Sequence, residues 1–288
     1  MKSNNYIKKC NICKESSFSI LKNYEKYYLN KCNNCNFIFS RKIPTTEELN
    51  QVYDNFKREV KWSLESLNNI ETIGMIHKKK FQPNNVLDIG CGKGAFLDYY
   101  KNNGIKTYFT EVGNELISTL KKKHEFVEGG FFPISKIKFD LIILTEVIEH
   151  TNDTNKMINY INNLQNKNGV IYITTPNYNS LESKIYKENY SIFSYPEHLS
   201  YFTSKTLHKL LTEHNYKRIY NYSENISFYR FIDFFNKKIS TNIDPNQASD
   251  KLQVIAKHSG LIYIKHFISR ILRFLHLGNT IKALYIKL

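Results

Sequence analysis

From residue 85 to residue 175, apolar runs of strand length alternate with helical stretches. That alternation confines the fold more than any other feature of the chain. "NVLDIG" reads as a strand and leads into a helix over 94–103; "KTYFTE" is a strand leading into a helix over 114–123; "EFVEG" is a short strand. "FDLIILT" is a strand leading into a helix over 154–166, and "GVIYITT" is the next strand. Strands spaced by helices lie parallel, because a parallel pair needs a crossover, and the crossovers cover both faces of one sheet. A helix over 204–213, a strand in "KRIYNYS" and a last strand-like stretch, "TIKALYI" at 280–286, follow. The expected fold class is α/β.

One turn in this pattern carries chemistry. "VLDIGCGKGAFL" sets Gly90, Gly92 and Gly94 between a strand and a helix, with Asp88 just before the turn. Glycines let the backbone bend sharply and approach a ligand with no Cβ in the way. The spacing G-x-G-x-G departs from the dinucleotide fingerprint G-x-G-x-x-G, and the Lys-Ser/Thr of a phosphate-binding loop is missing. Glu111 ends the second strand, 23 residues after Asp88, where an acid can accept both hydroxyls of a ribose. The turn is therefore expected to hold a cofactor that carries a nucleoside, beyond the carboxyl ends of the strands.

In these stretches the chain resembles the class I S-adenosylmethionine-dependent methyltransferases. "VLDIGCGKGAF", Glu111, "FDLIILTEVIEH", "GVIYITTPN" and "HLSYFTSKTLHKLLTEHNYK" stand in the order of that family's motifs over roughly 84–220. The resemblance implies a Rossmann-like, seven-stranded, mostly parallel sheet whose last strand is antiparallel. It implies S-adenosylmethionine as cofactor. Asp88, Gly90, Gly92 and Gly94 would line its methionine and ribose end, Glu111 would hold the ribose hydroxyls, and Thr145 and Glu146 would lie near the transferred methyl. The family often has an acid near the adenine amine after the third strand. This chain has "VEGGFFPI" there, with the acid missing or displaced to Glu128.

Four of the five cysteines stand in two C-x-x-C pairs, Cys10 with Cys13 and Cys32 with Cys35, with 18 residues between the pairs. That spacing matches a tetrahedral four-cysteine zinc site. Four thiolates leave no open coordination position, so the zinc would be structural and would fold a segment too small to hold itself together. Residues 1–42 read as a zinc ribbon of short strands, including "KYYLNKC" and "NFIFS". Thr45 and Glu48 then form a capping box for a helix, and residues 59–80 continue as helix. The ribbon and the phrase that follows it, "CNNCNFIFSRKIPTTEELNQVYDNF", resemble a subset of bacterial members, many of which modify sugars of polysaccharides or natural products. The expected layout is a zinc ribbon over 1–42, a helical linker over 43–83, the core over 84–224, a basic aromatic helical insertion over 225–278 and a last core strand over 279–288.

A second cluster follows the fourth strand. Glu146, Glu149 and His150 fall at i, i+3 and i+4, so a helical turn would set all three on one face. His198, in "YPEHLSYF", lies after the fifth strand and should meet them above the cofactor. Two carboxylates and two imidazoles suit Mg²⁺, Mn²⁺ or Zn²⁺. The arrangement resembles two metal-assisted branches, the small-RNA 2′-O-methyltransferases and the ubiquinone-pathway O-methyltransferases, in which a metal would grip two oxygens and activate a hydroxyl. Without metal, His198 or a carboxylate would act as general base, or His150 would only orient a loop. Tyr178, Tyr190 and Tyr195 crowd the same region, for stacking on a substrate ring or for packing.

Composition bears on the partner. The chain has 41 Lys and Arg against 26 Asp and Glu, a net charge of +15. That balance suits anionic partners, whether small molecules, glycans, nucleic acid or a membrane surface, or is drift toward lysine on a solvated face. The opening "MKSNNYIKKC" has no apolar run of the kind that directs export, and no stretch reaches the ~20 apolar residues of a membrane span. The cytoplasm is the expected compartment. Over 261–277 apolar residues recur at helical spacing with Lys265, His266, Arg270 and Arg273 between them, which reads as a lid on the core or as a surface for a membrane or a lipid-linked substrate. About 65 residues follow the strand at 217–223, too few for a typical second domain. The leading expectation is O-methylation of a sugar hydroxyl on a glycan or on a nucleotide- or lipid-linked precursor. An RNA 2′-O-methyltransferase is the alternative, with no RNA-binding module in evidence. A non-catalytic docking module is a third reading, against which the glycine turn and Glu111 stand.

Overall fold

The computed structural model of the chain describes residues 5–55, 72–74, 76–77, 81–225 and 270–288. Its main sheet is built as the alternation requires. The strands are β4 (Asn85–Ile89), β5 (Lys106–Thr110), β6 (Glu125–Phe126), β7 (Phe139–Thr145), β8 (Gln165–Pro176), β10 (Tyr216–Glu224) and β11 (Thr280–Lys287). The spatial order is β10-β11-β8-β7-β4-β5-β6. β4 pairs in parallel with β5 and β7, β5 with β6, and β7 with β8, whereas β11 runs antiparallel to both β8 and β10. The expected seven-stranded, mostly parallel sheet with its antiparallel last strand is thus present.

Alternate residues of each strand supply two cores. Leu87, Ile142, Leu144, Ile171, Ile173, Ala283 and Tyr285 face one side; Val86, Leu141, Ile143, Val170, Tyr172 and Leu284 face the other. The named helices are α1 (Thr46–Asn55), α2 (Ala95–Asn102), α3 (Asn114–Leu120), α4 (Thr154–Leu164), α5 (Leu181–Tyr186) and α6 (Ser204–Glu213); α4 and α6 pack on the first core and α2 on the second. The expected capping box closes α1: Thr45 N–H donates to Glu48 Oε2 at 2.9 Å, and Glu48 N–H donates to Thr45 Oγ1 at 3.2 Å. α4 ends at Leu164, two residues short of the expected bound, because Gln165 is already extended and pairs with Phe139 of β7. α3 likewise stops at Leu120, before the lysine run.

A second sheet joins β1 (Phe18–Ile20), β2 (Leu29–Cys32) and β3 (Ile38–Ser40) to β9 (Ser200–Tyr201), in that order. The N-terminal strands are those of the expected ribbon, and β9 comes from the far end of the core segment. The helix expected over 59–80 falls largely outside the described residues; 72–74 and 76–77 are helical, with Ile73 and Ile76 buried. Of the expected insertion, 226–269 also lies outside them. In the part of the 261–277 segment that is described, Leu272 is buried while Ile271, Phe274 and Leu275 are exposed. The buried side there runs through Leu272, one residue off the expected stripe. Among the described residues no helix is long and apolar enough to cross a membrane.

Candidate functional site

The glycine turn joins β4 to α2. Gly90, Gly92 and Gly94 all have positive φ, 66°, 54° and 76°, where a Cβ is strained. Their surroundings differ. A Cβ on Gly90 would press within 2.9 Å of Val147, and one on Gly94 within 2.8 Å of Leu120. A Cβ on Gly92 would meet no atom of the described residues within 4 Å. Two of the glycines therefore serve close packing, and the middle one faces open room.

Two acids flank the turn, Glu111 half-buried and Asp88 fully buried. Glu111, just past β5, accepts from Gly92 N–H at 2.9 Å on Oε2 and from Val112 N–H at 2.7 Å on Oε1. The backbone thus aims this carboxylate while leaving it lone pairs for a hydroxyl. Asp88 is fully buried on β4, and neither of its oxygens has a hydrogen-bond partner among the described residues. Burial, and after it the Glu111 charge, holds its carboxyl well above the usual range. A buried carboxylate without a partner calls for a cation or a donor. S-adenosylmethionine offers both, in its ammonium and sulfonium groups, so the residues present fit that cofactor. The turn after β6 approaches Val112 at Gly130, and Glu128 on it is exposed.

The second cluster lies against the first, since Gly90 abuts Val147. The chain leaves β7 at Thr145, which pairs with Thr174 of β8. Glu146 takes a left-handed φ of 54°, and a single 3-10 turn, Ile148–His150, follows. The expected helical register is therefore broken at its first residue. Adjacent residues of a strand point to opposite faces, and β8 carries two threonines, Thr174 and Thr175, just before its last residue, Pro176. Thr174 Oγ1 donates to Glu146 Oε1 at 2.8 Å, and Thr175 Oγ1 donates to Glu149 Oε2 at 2.9 Å. The two carboxylates consequently go to opposite faces. Glu149, His150 and His198 come together with ligand atoms within 4.8 Å of one another. Glu146 is not one of that group.

The imidazoles are fixed by backbone. His150 Nδ1 donates to Glu197 O at 2.9 Å, and His198 Nδ1 donates to Ile192 O at 2.7 Å. A carbonyl only accepts, so each neutral ring presents Nε2 as its lone pair. Carbonyls that orient histidines in this way are the usual outer partners of metal ligands. The rings meet edge to face at 4.9 Å. His198 is pulled down to about 4 by burial and then by His150. Glu149 is pushed up to about 8 by burial, and its buried Oε1 has no hydrogen-bond partner among the described residues. One carboxylate oxygen and two imidazole nitrogens, all unspent, fit a divalent ion that accepts O and N ligands, such as Mg²⁺, Mn²⁺ or Zn²⁺.

Glu146 belongs to a different row. Thr174 faces Lys282 across the β8–β11 ladder. Lys282 is buried and paired with buried Glu224, which also takes Arg273. Burial, then the charge of Glu149, pushes Glu146 up to about 8, against the Thr174 hydroxyl. Thr174, Thr175, Lys282 and Glu224 escape a reading of the sequence alone. Twin threonines before "PN" look like ordinary strand residues, and Lys282 meets Glu224 only through strand pairing.

The cysteines behave as expected. Cys10, Cys13, Cys32 and Cys35 gather within 4.8 Å, with Cys10 Sγ 3.5 Å from Cys35 Sγ and Cys13 Sγ 3.4 Å from Cys32 Sγ. Tetrahedral zinc with bonds of about 2.3 Å would set its sulfurs about 3.8 Å apart, so the four thiols fit that ion. Each C-x-x-C is followed by a left-handed residue, Lys14 at φ 65° and Asn36 at φ 61°, which gives two matching knuckle turns. The tyrosines take the packing role. Tyr178 and Tyr190 surround Phe193, and Tyr195 meets Tyr28 at 4.9 Å and donates to Glu48 at 3.2 Å.

Comparison with known proteins bears on the fold and the family. An uncharacterised protein of Methanocaldococcus jannaschii is 28% identical over 113 residues, 38% of this chain and 49% of that protein. The ubiquinone biosynthesis O-methyltransferase of Pelagibacter ubique is 31% identical over 100 residues, 32% of this chain and 42% of that protein. The chain spans about half the length of these curated relatives. A SAM-dependent methyltransferase from Archaeoglobus fulgidus superposes with a TM-score of 0.53 at 19% identity, over 82% of this chain and 99% of that one, a likeness of fold. The methyltransferase-domain family matches residues 65–221. More than half of the sequence is thereby accounted for, and the chain belongs to the methyltransferase-domain family, with the Rossmann-like fold of the S-adenosylmethionine-dependent methyltransferases.

Proposed function

We propose that the protein transfers the methyl group of S-adenosylmethionine to an oxygen, and that its acceptor is a sugar hydroxyl on a glycan or on a nucleotide- or lipid-linked precursor. The observation that carries this reading is the seating of two unspent imidazole nitrogens and a carboxylate oxygen directly beside the glycine turn, through Val147. Methyl transfer to oxygen needs alignment and a way to take the hydroxyl proton. A sulfonium donor is already activated. His198 is the group we assign to the proton: its Nε2 is a lone pair by virtue of the Ile192 carbonyl, and burial keeps it neutral. Where Mg²⁺ or Mn²⁺ is bound, Glu149, His150 and His198 would hold it and the ion would lower the pKa of an acceptor hydroxyl so that its proton leaves to solvent, His198 Nε2 then being a ligand in place of the base. Glu111 would orient the donor through its ribose, and Asp88 would meet its positive end. Thr145 and Glu146 would stand near the methyl.

The choice of oxygen is supported by the likeness to the ubiquinone biosynthesis O-methyltransferase of Pelagibacter ubique. The choice of an anionic sugar precursor is supported by the charge of +15 and by the cysteine ribbon. A role in polysaccharide biosynthesis and a cytoplasmic site follow from the same reading. The test is a labelled-donor assay against nucleotide sugars, glycans, catechols and RNA, with and without chelator. Transfer to a sugar hydroxyl is expected, lost in chelator and restored by Mn²⁺. Transfer confined to RNA or to catechols would overturn the acceptor, and full activity in chelator would overturn the metal.

A further inference from the structure

The small sheet contains a strand that does not belong to the ribbon. β9 begins two residues after His198, and it is β3 of the ribbon that it pairs with: Ile38 faces Tyr201 and Phe39 faces Ser200. Ser40 N–H donates to Leu199 O at 2.8 Å. On its other side the same segment holds the turn that carries Glu149 and His150. Leu199 N–H donates to Glu149 O at 2.8 Å, and Ser200 Oγ donates to Thr151 O at 2.9 Å. The backbone from ribbon to cluster is thus continuous: β3, then 199–201, then 149–151.

Both knuckles reach this assembly. Phe37 follows the second knuckle, receives Cys32 N–H on its carbonyl at 2.9 Å, and packs its ring against Phe202 at 5.1 Å. From the first knuckle, Asn11 Nδ2 donates to Asn152 O, two residues past the turn. Cys10, Ile12, Cys32, Phe37 and Phe39 share one buried cluster with Ile148 and Phe202. A ribbon that only stabilised the N-terminus would not need to supply the strand beside His198.

We propose that the four-cysteine knuckle is a positioning element for the histidine–carboxylate cluster: closed on its metal, it sets β3, and β3 sets the segment bearing His198 and, through it, the Glu149–His150 turn. This rests on the reading that the cluster acts on the acceptor, but it concerns geometry and can be judged separately. Zinc would supply only the closure of the knuckle; the residues that transmit it are Phe37, Ser40, Leu199 and Ser200.

The test uses Ser40→Pro in the full chain. Proline removes the one N–H that meets Leu199 and leaves Arg41 N–H on Tyr28 O at the opposite edge. Cobalt in place of zinc reports the knuckle by its thiolate absorption. Calorimetry with S-adenosylmethionine reports the glycine turn. The ring Cε1–H NMR signals of His150 and His198 report the cluster. The expected result is an unchanged thiolate band, donor affinity within about twofold, as for distant independent sites, and displaced signals for both histidines. With an acceptor in hand, turnover should fall about a hundredfold, the cost of a misplacement near 1 Å. Histidine signals that coincide with those of the unaltered protein would overturn the proposal. Stripping zinc from the unaltered chain is the second arm and needs no substitution: the same signals must move while donor binding persists, and unmoved signals overturn the proposal again. Failure of the unaltered protein to bind donor would instead strike the methyltransferase reading.

Discussion

Glu146 and Glu149 stand three residues apart, each held by one of two adjacent threonines, and they serve opposite faces of the sheet. On the Glu149 face two imidazoles are pinned through Nδ1, and Glu149 Oε1 has no hydrogen-bond partner among the described residues, with His150 Nε2 3.8 Å away. On the Glu146 face charges are spent on one another, with Lys282 and Arg273 on Glu224 and Lys282 facing Thr174. The difference lies in strand-end parity. A strand that carries two adjacent hydroxyl residues near its end can deliver one to each face, and the loop above it then splits its acids between two environments. One leaves its groups free for the ligand or proton proposed above; the other sets Glu146 beside a row of paired charges.

The largest effect should come from His198→Ala. Proton transfer by a positioned side chain is worth about 10²–10⁴-fold, so turnover should drop by that factor while donor affinity, read by calorimetry, stays put. Glu146→Gln run beside it sharpens the contrast. Mn²⁺ affinity should survive in Glu146→Gln and vanish in Glu149→Gln. Equal loss in the two would erase the separation of faces.

Next comes Glu224→Leu, which leaves buried Lys282 without its partner. Breaking a buried pair from one side costs about 3–5 kcal/mol, measurable by urea unfolding, and Mn²⁺ binding should be unaffected. A loss below about 1 kcal/mol, as for exposed pairs, would show that the row is not the compensated interior described.

Smaller still is the pair Thr174→Val and Thr175→Val. Thr175→Val strips a hydroxyl from buried Glu149, at about 1–3 kcal/mol of stability, and Thr174→Val strips one from half-buried Glu146, at less. Only Thr175→Val should also weaken Mn²⁺ binding, because only Thr175 aims Glu149.

The gentlest signature is in pH. Glu146 rises from 4.5 to about 8 on burial, so between those values the folded state holds a proton that the unfolded chain releases. Stability must then fall as pH rises through that window. Glu146→Gln should remove one proton's worth of slope from the unfolding free energy, and an unchanged slope would contradict the burial of that carboxyl.

Much of this was legible in the sequence. The glycine turn, the two C-x-x-C pairs and the capping box at Thr45 and Glu48 are local demands, met by residues a few positions apart. The meeting of His150 and His198 followed from topology, since the ends of β7 and β8 adjoin in any such sheet. What was not legible depends on phase or on distant pairing. A left-handed Glu146 has no glycine to announce it, so the i, i+3, i+4 spacing suggested one face where the chain makes two. The pairing of Ile38–Ser40 with Ser200–Tyr201, and of Glu224 with Lys282, joins segments whose meeting no local pattern encodes.

The most direct test is a titration of S-adenosylmethionine into the unaltered protein and into Gly92→Val and Glu111→Ala. Gly92 faces open room at φ 54° and Glu111 is aimed by its N–H, so donor heat should be clear in the first and lost in both variants, with the fold intact by circular dichroism. Undiminished binding in Gly92→Val, or no binding by the unaltered chain, would contradict the placement of the donor at this turn.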